Sequence, residues 1–154
     1  MSVINRMGGY GQVVAGAAKA LPQTAAGNIF TVAGGPILLT QLFGLVVTNL
    51  GATVTTLSVG TSPTGGAASG VSLATAVAIT SKQQGCFLTV PETAGGALVV
   101  TDGISLAAGL PQDAGGLALI APGAITVTTS ANDTGTVQWY LGFVPFPGAN
   151  VAAV

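Results

Sequence analysis

Apolar and polar side chains alternate along several short segments of the chain, and turn-forming residues separate these segments. The pattern is clearest in TVQWYLGFV (136–144), which places Val137, Trp139, Leu141 and Phe143 on one side and Gln138, Tyr140 and Gly142 on the other. Alternation with a period of two is typical of a strand that buries one face. We therefore predict that this strand anchors a core and that Trp139 lies inside it.

The same criteria predict strands along the rest of the chain. They fall at 29–33, 37–43, 45–50, 53–59, 71–79, 86–90, 117–121 and 124–130, with two more apolar runs on either side of Asp102-Gly103. Gly44 is expected to form a bulge or bend between its two flanking strands, and 60–70 is expected to be a loop. Hairpins are predicted at Asp102-Gly103 and between 124–130 and 136–144.

The segment 71–79 is predicted to be a half-buried strand with one continuous face. That face carries Val71, Leu73, Thr75, Val77 and Ile79, whereas small residues occupy the other face.

Many short strands without a convincing helix or a fixed-period repeat favour a sandwich or barrel. We predict an all-β fold: an antiparallel β-sandwich, with the jelly roll as one form of it, built from a single domain at 29–154. Residues 1–28 are rich in glycine and carry no strand pattern, so we predict an extended N-terminal arm there. A disordered terminus is the alternative.

Charge is scarce, since the chain has 3 basic and 4 acidic residues among 154, and none lies between Ala20 and Ser81. An ordinary soluble domain is about a quarter charged. A membrane span at 34–52 is disfavoured because glycine, proline and polar residues interrupt it and no basic cluster flanks it. A disordered chain is disfavoured by the abundance of aliphatic residues. We favour a subunit whose neighbours cover much of its surface, and with no basic patch we expect no nucleic-acid partner.

Catalytic chemistry finds little support in the residues present. The chain has no histidine, and Glu92, Asp102, Asp113 and Asp133 are scattered in predicted turns, where acidic side chains bond locally. Cys86 has no histidine partner and fits a small buried residue. We expect no catalytic residue, no metal site and no cofactor. The start of the chain lacks the compact apolar stretch of a signal peptide, so we expect assembly in the cytoplasm.

Two blocks carry a resemblance to a known family. The segment TVTTSANDTGTVQWYLGFVPFPGANV and the segment GNIFTVAGGPILLTQLFGLVVTNLGA, followed by the loop GTSPTGGAASGV, resemble small virion proteins of tailed bacteriophages. The resemblance runs from about Gly27 to Val151 and rests on hairpin and turn motifs rather than on catalytic ones. It implies a β-sandwich subunit on the phage particle, such as a head decoration (cement) protein.

From the low charge and the glycine-rich arm we expect copies to associate as a homotrimer that binds between major capsid proteins on the particle surface. The residues expected at the interface are Tyr10, Gln12, Val13, Pro63 and Phe146. Phe146 has two interpretations: a lid folded back on the core, or an anchor in a neighbouring subunit. Two other functions stay open, namely a tail or head fibre module that binds host glycan through Tyr10, Tyr140 or Phe146, and a membrane-associated protein.

Overall fold

The computed structural model of the chain describes residues 11–65, 70–91, 93–101 and 118–154. These residues form strands and turns, without a helix. In chain order, strands β1 to β13 span Gln12–Ala15, Lys19–Ala20, Ala26–Ala33, Ile37–Thr48, Thr56–Pro63, Ser72–Ala78, Phe87–Thr89, Gly96–Ala97, Val99–Thr101, Ala118–Ile120, Gly123–Thr129, Thr136–Pro145 and Asn150–Ala153. The predicted all-β class is confirmed. The predictions made for Tyr10, Glu92, Asp113 and the Asp102-Gly103 hairpin lie outside the described residues.

The strands form two sheets. Sheet I has the order β1-β12-β4-β7-β9, with β2 also paired to β12 and β10 also paired to β4. Sheet II has the order β13-β3-β11-β5-β6-β8. Neighbouring strands are antiparallel apart from the short parallel contact between β6 and β8.

One hydrophobic cluster contains side chains from both sheets. Sheet I contributes Leu42, Val46, Trp139 and Leu141, among others, and sheet II contributes Phe30, Leu57, Ile125 and Val127. This arrangement is compatible with the predicted β-sandwich, because each sheet turns its apolar side to the shared core. The jelly roll stays a prediction.

Strand β12 is an inner strand of sheet I, between β1 and β4. It follows the predicted alternation as far as Leu141, after which Gly142 and Val144 are buried as well. Its four inward residues, Val137, Trp139, Leu141 and Phe143, are at most 3% exposed. The prediction that Trp139 belongs to the core is therefore confirmed.

The prediction of a bulge or bend at Gly44 is wrong. Strand β4 runs without interruption from Ile37 to Thr48, and Gly44 lies directly opposite Trp139 in the ladder with β12. The register shifts fall elsewhere, where β4 has one extra residue at Thr40 and another at Val47. Gly44 is instead a place of close approach, since its missing side chain leaves room for the tryptophan ring.

The predicted hairpin between 124–130 and 136–144 is also wrong. Strand β11 pairs with β3 and β5 in sheet II, whereas β12 pairs with β1, β2 and β4 in sheet I. The connection at 130–135 therefore crosses from one sheet to the other. Its turn residues are compatible with either path, so they do not reveal the crossing.

Two predictions around β5 and β6 need correction. The loop predicted at 60–70 begins later, because β5 continues to Pro63. The single face predicted for 71–79 is broken, since Val71 is 59% exposed while Ala74, on the opposite face by simple alternation, is fully buried. The cause is a register shift between the two strands, where Leu57 pairs with Val77 but Val59 pairs with Ala74. A bulge of this kind reverses the side-chain phase.

The described part of the predicted arm is extended, and it adds two short strands to sheet I. Strands β1 and β2 both pair with β12. Strand β3 begins at Ala26, slightly before the predicted domain boundary at residue 29, and that boundary stays a prediction.

Candidate subunit interface

One end of the molecule is organised by the turn at 34–36, which connects β3 to β4. The segment after β12 packs against this turn, because the Phe146 N–H donates to the Pro36 carbonyl at 3.2 Å. The next turn is closed by the Ala149 N–H, which donates to the Phe146 carbonyl at 2.9 Å. We call this region the turn end. One of these hydrogen bonds ties the segment after β12 to the turn at 34–36, and the other closes the turn at 146–149.

Phe146 projects from this fixed backbone and keeps 41% of its surface exposed. Phe143, three residues earlier, is 1% exposed. The phenylalanine between the two prolines is therefore not a buried lid on the core. Pro145 is the last residue of the β12 ladder, where it lies opposite Ile37. A proline cannot donate to a further ladder hydrogen bond, so the chain leaves the sheet here and presents Phe146 outward.

Gln12 and Val13 lie near the same end. Strand β1 runs antiparallel to β12 and places Gln12 opposite Phe143 and Val13 opposite Gly142. Phe146 follows three positions after Phe143, which corresponds to roughly 10 Å along an extended chain. Val13 is 73% exposed and Gln12 is also exposed.

Pro63 also lies at the turn end, but in sheet II. It is the last residue of β5 and lies opposite Gly123, which in turn lies opposite Val32 at the end of β3. The contact between these two chain segments extends one residue beyond the paired strands, because the Thr64 N–H donates to the Pro122 carbonyl at 2.9 Å. Pro63 is partly buried. The structure thus brings Gln12, Val13, Pro63 and Phe146 to one end, while Tyr10 lies outside the described residues.

Leu119 is a fifth residue of this end that the sequence analysis did not identify. It is 64% exposed and lies opposite Leu38, whose other neighbour across the sheet is Val144. Ile120 beside it is 4% exposed, so β10 turns alternate residues outward. The run at 117–121 is apolar at every position, so the sequence alone does not mark Leu119 as exposed. We call Val13, Leu119 and Phe146 the apolar end patch.

The apolar end patch has no charged neighbour among the residues of its own strands. The charged residues that the structure describes are Lys19, Lys82 and Asp133. Lys19 pairs with the start of β12, far from the turn end. Lys82 follows β6 and Asp133 follows β11, and both of these strands end on the side away from the turn end. Within the described ranges, the contacts that this patch can offer are therefore apolar burial and backbone hydrogen bonds rather than ion pairs.

A second aromatic group lies on the outer side of sheet I. The rings of Phe43 and Tyr140 stack with centroids 4.9 Å apart and planes 13° apart, and Phe87 lies 5.9 Å from Phe43. All three side chains are partly buried. One face of the Tyr140 ring is therefore occupied by Phe43, which reduces the area it offers to a glycan.

The candidate reactive groups occupy structural positions. Asp133 is 5% exposed, and its Oδ1 accepts a hydrogen bond from the Thr134 N–H at 2.7 Å. This local bond confirms the turn role predicted for this aspartate. Cys86 is 2% exposed, as predicted for a small buried residue. In the described ranges, no three histidine, cysteine or acidic residues come close enough to hold a metal ion.

No helix in the described part of the chain has the length and apolar character needed to cross a membrane. Comparison with protein-family models, with curated proteins and with solved structures found no match.

Proposed function

We propose that this protein is a non-enzymatic structural subunit of a tailed-phage particle, acting as a head decoration (cement) protein that binds between major capsid proteins. The observation that carries the proposal is the apolar end patch, in which Val13, Leu119 and Phe146 are 73%, 64% and 41% exposed. Exposed apolar groups that gather at one place commonly mark a contact with another protein. The sequence resemblance supports the same class of function.

The proposed mechanism is reinforcement of the shell by apolar burial. At about 25 cal/mol per Å², an interface that buries roughly 1,000 Å² of apolar surface gives on the order of 25 kcal/mol before the costs of association. Repetition of one contact over a shell adds avidity. The scarcity of charge, with 7 charged residues in 154, makes ion pairs a minor source of affinity.

We further propose that copies of the chain associate as a trimer, with the turn end directed at the capsid. Among the described strands, β1 with Gln12 and Val13 lies at an edge of sheet I, and an edge strand offers backbone groups for pairing. Pro63 and Phe146 lie at the ends of strands in the two different sheets. A contact at the turn end would therefore involve both sheets, which fixes the orientation of the subunit.

The experiment that tests this proposal is a cryo-EM reconstruction of the purified particle. Density for the chain on the outer shell, at symmetry or quasi-symmetry axes and with the turn end against the capsid, is the expected result. Absence of the chain from the particle would contradict the proposal.

A fibre module that binds host glycan is the second candidate, and the exposed ring of Phe146 is the observation that favours it. Aromatic rings exposed on loops can stack on sugars. Density restricted to the tail or to fibres, together with binding on a glycan array, would support this second function and contradict capsid decoration.

A further inference from the structure

A cavity of about 430 Å³ lies at the end of the molecule opposite the turn end. Strand β2 of sheet I and the start of β3 in sheet II border it, and its lining includes Lys19, Leu21, Pro22, Ile29, Val127 and Trp139. Small-molecule sites in proteins have volumes of about 300 to 1,000 Å³ and are mostly apolar with a few polar groups. This cavity has both the size and the composition of such a site.

The walls of the cavity come from the buried side chains of both sheets. Trp139 is 3% exposed, Val127 is 3% exposed and Ile29 is 5% exposed. These residues belong to β12, β11 and β3, which are among the longest paired strands of the fold. The site is therefore built on fixed elements rather than on a loop.

Lys19 gives the cavity its single positive charge. It lies opposite Val137 in the β2–β12 pair, and Val137 is 1% exposed on the core side of the sheet. Directly opposed residues share one side of a sheet, so the lysine side chain is directed toward the space between the sheets. No hydrogen bond or ion pair of this side chain is present within the described ranges.

Lys19 is partly buried as a residue, and an ammonium group without a partner among the described residues favours an anion. None of the lining residues has an acidic side chain, and Asn28 adds an amide group to the lining. The larger part of the lining surface is apolar, so a fully polar anion such as phosphate would leave that part of the wall without a matching partner. A ligand that suits both parts has one anionic group and an apolar body.

We propose that this cavity binds an amphipathic monocarboxylate, with the carboxylate at Lys19 and the apolar body against Trp139, Ile29 and Val127. A charge-assisted hydrogen bond contributes more than a neutral one, which makes Lys19 the determinant of the anionic group. The apolar walls set the size of the body. This site is separate from the apolar end patch, so it can be tested without reference to the capsid.

The test uses Trp139, which is the single tryptophan of the chain and lines the cavity. The full chain is titrated with octanoate, with octanol as the uncharged analogue, at constant ionic strength. We expect a saturable change in tryptophan fluorescence with octanoate and a 1:1 stoichiometry by calorimetry. Octanol should bind at least about tenfold more weakly, because it lacks the charge-assisted bond.

The variant Lys19→Met keeps the length of the side chain and removes its charge. It should lose roughly tenfold or more in octanoate affinity while its octanol affinity is unchanged. Lys82→Met, which changes the net charge equally outside the cavity, should bind octanoate as the wild type does. Thermal unfolding of each variant shows whether the fold is retained. Octanoate binding that is not saturable, or that is equally tight in Lys19→Met, would overturn the proposal.

Discussion

Gly44 lies directly opposite Trp139 in the central ladder of sheet I, and the tryptophan ring covers it. A Cβ built on Gly44 would lie 2.7 Å from Val137 Cγ1 and 3.2 Å from the ring of Trp139. Contacts this short require the neighbours to move, and both are buried in the core. The glycine is therefore a packing partner of the tryptophan.

We expect Gly44→Ala to lower the free energy of unfolding by about 1–3 kcal/mol, because an extra methyl group overpacks this part of the core. Urea unfolding followed by Trp139 fluorescence measures the change. Gly16→Ala is the matched control, since its added Cβ would find its nearest neighbour at 3.7 Å. Equal stability of the two variants would show that the space beside Trp139 is not tight.

Loss of the apolar end patch should weaken capsid binding. The double variant Leu119→Ser with Phe146→Ser removes two exposed apolar side chains, and each contributes up to about 1.5–3 kcal/mol when fully buried in an interface. We expect at least a tenfold loss of affinity, measured by co-sedimentation with capsids that lack the protein.

The control for this experiment is Val54→Ser. Val54 is 80% exposed and precedes β5, whose other end carries Pro63. It therefore tests surface hydrophobicity at the opposite end of the molecule. If Val54→Ser weakens binding as much as the double variant, the turn end is not the capsid contact.

Thr129 ties the N-terminal segment to sheet II. Its hydroxyl donates to the Pro22 carbonyl, and the side chain is 3% exposed. Thr129→Val keeps the shape and leaves the carbonyl without this donor, so we expect a loss of about 1–2 kcal/mol in the free energy of unfolding. Hydrogen exchange should also become faster in 19–23. Thr128→Val, on the exposed side of the same strand, should change neither quantity.

The carboxylate of Asp133 should limit stability. Its Oδ2 is buried and has no hydrogen-bond partner within the described residues, whereas Oδ1 accepts from Thr134. Asp133→Asn keeps an acceptor and removes a buried charge, so we expect a gain of about 1 kcal/mol in the free energy of unfolding at neutral pH. Chemical denaturation measures this. Asp133→Ala, which loses the acceptor as well, should be less stable than Asp133→Asn.

The inward face of β12 could be predicted because alternation is a local property of the chain. The sheet that a strand joins depends on residues far away in the sequence, so the strand's own pattern does not reveal it. Thr126 and Gln138 alternate with apolar neighbours in the same way, yet β11 and β12 lie in different sheets. The bulges at Thr40 and Val47 follow from pairing with β12 and leave no signal in their own segment, so the sequence pattern points to Gly44 instead.

At the candidate interface, too, some residues could be predicted from local sequence and others depend on strand pairing. Val13 and Phe146 could be chosen because an apolar residue in a glycine-rich segment or between prolines has little core beside it. Leu119 belongs to an apolar run, and its exposure depends on β10 lying at the edge of β4. The cavity at Lys19 could not be predicted either, since it depends on the pairing of β2 with β12.

The pairing of β1 with the far end of β12 also constrains how the chain can fold. Gln12 lies opposite Phe143, so the chain must be synthesised at least as far as Phe143 before β1 can pair with β12. Contacts between such distant residues close a long loop, which costs conformational entropy and makes folding slow. On the ribosome, the sides of β1, β2 and β4 that pair with β12 would keep their backbone N–H and C=O groups unpaired until β12 emerges. Such unpaired strands make the nascent chain a substrate for chaperones.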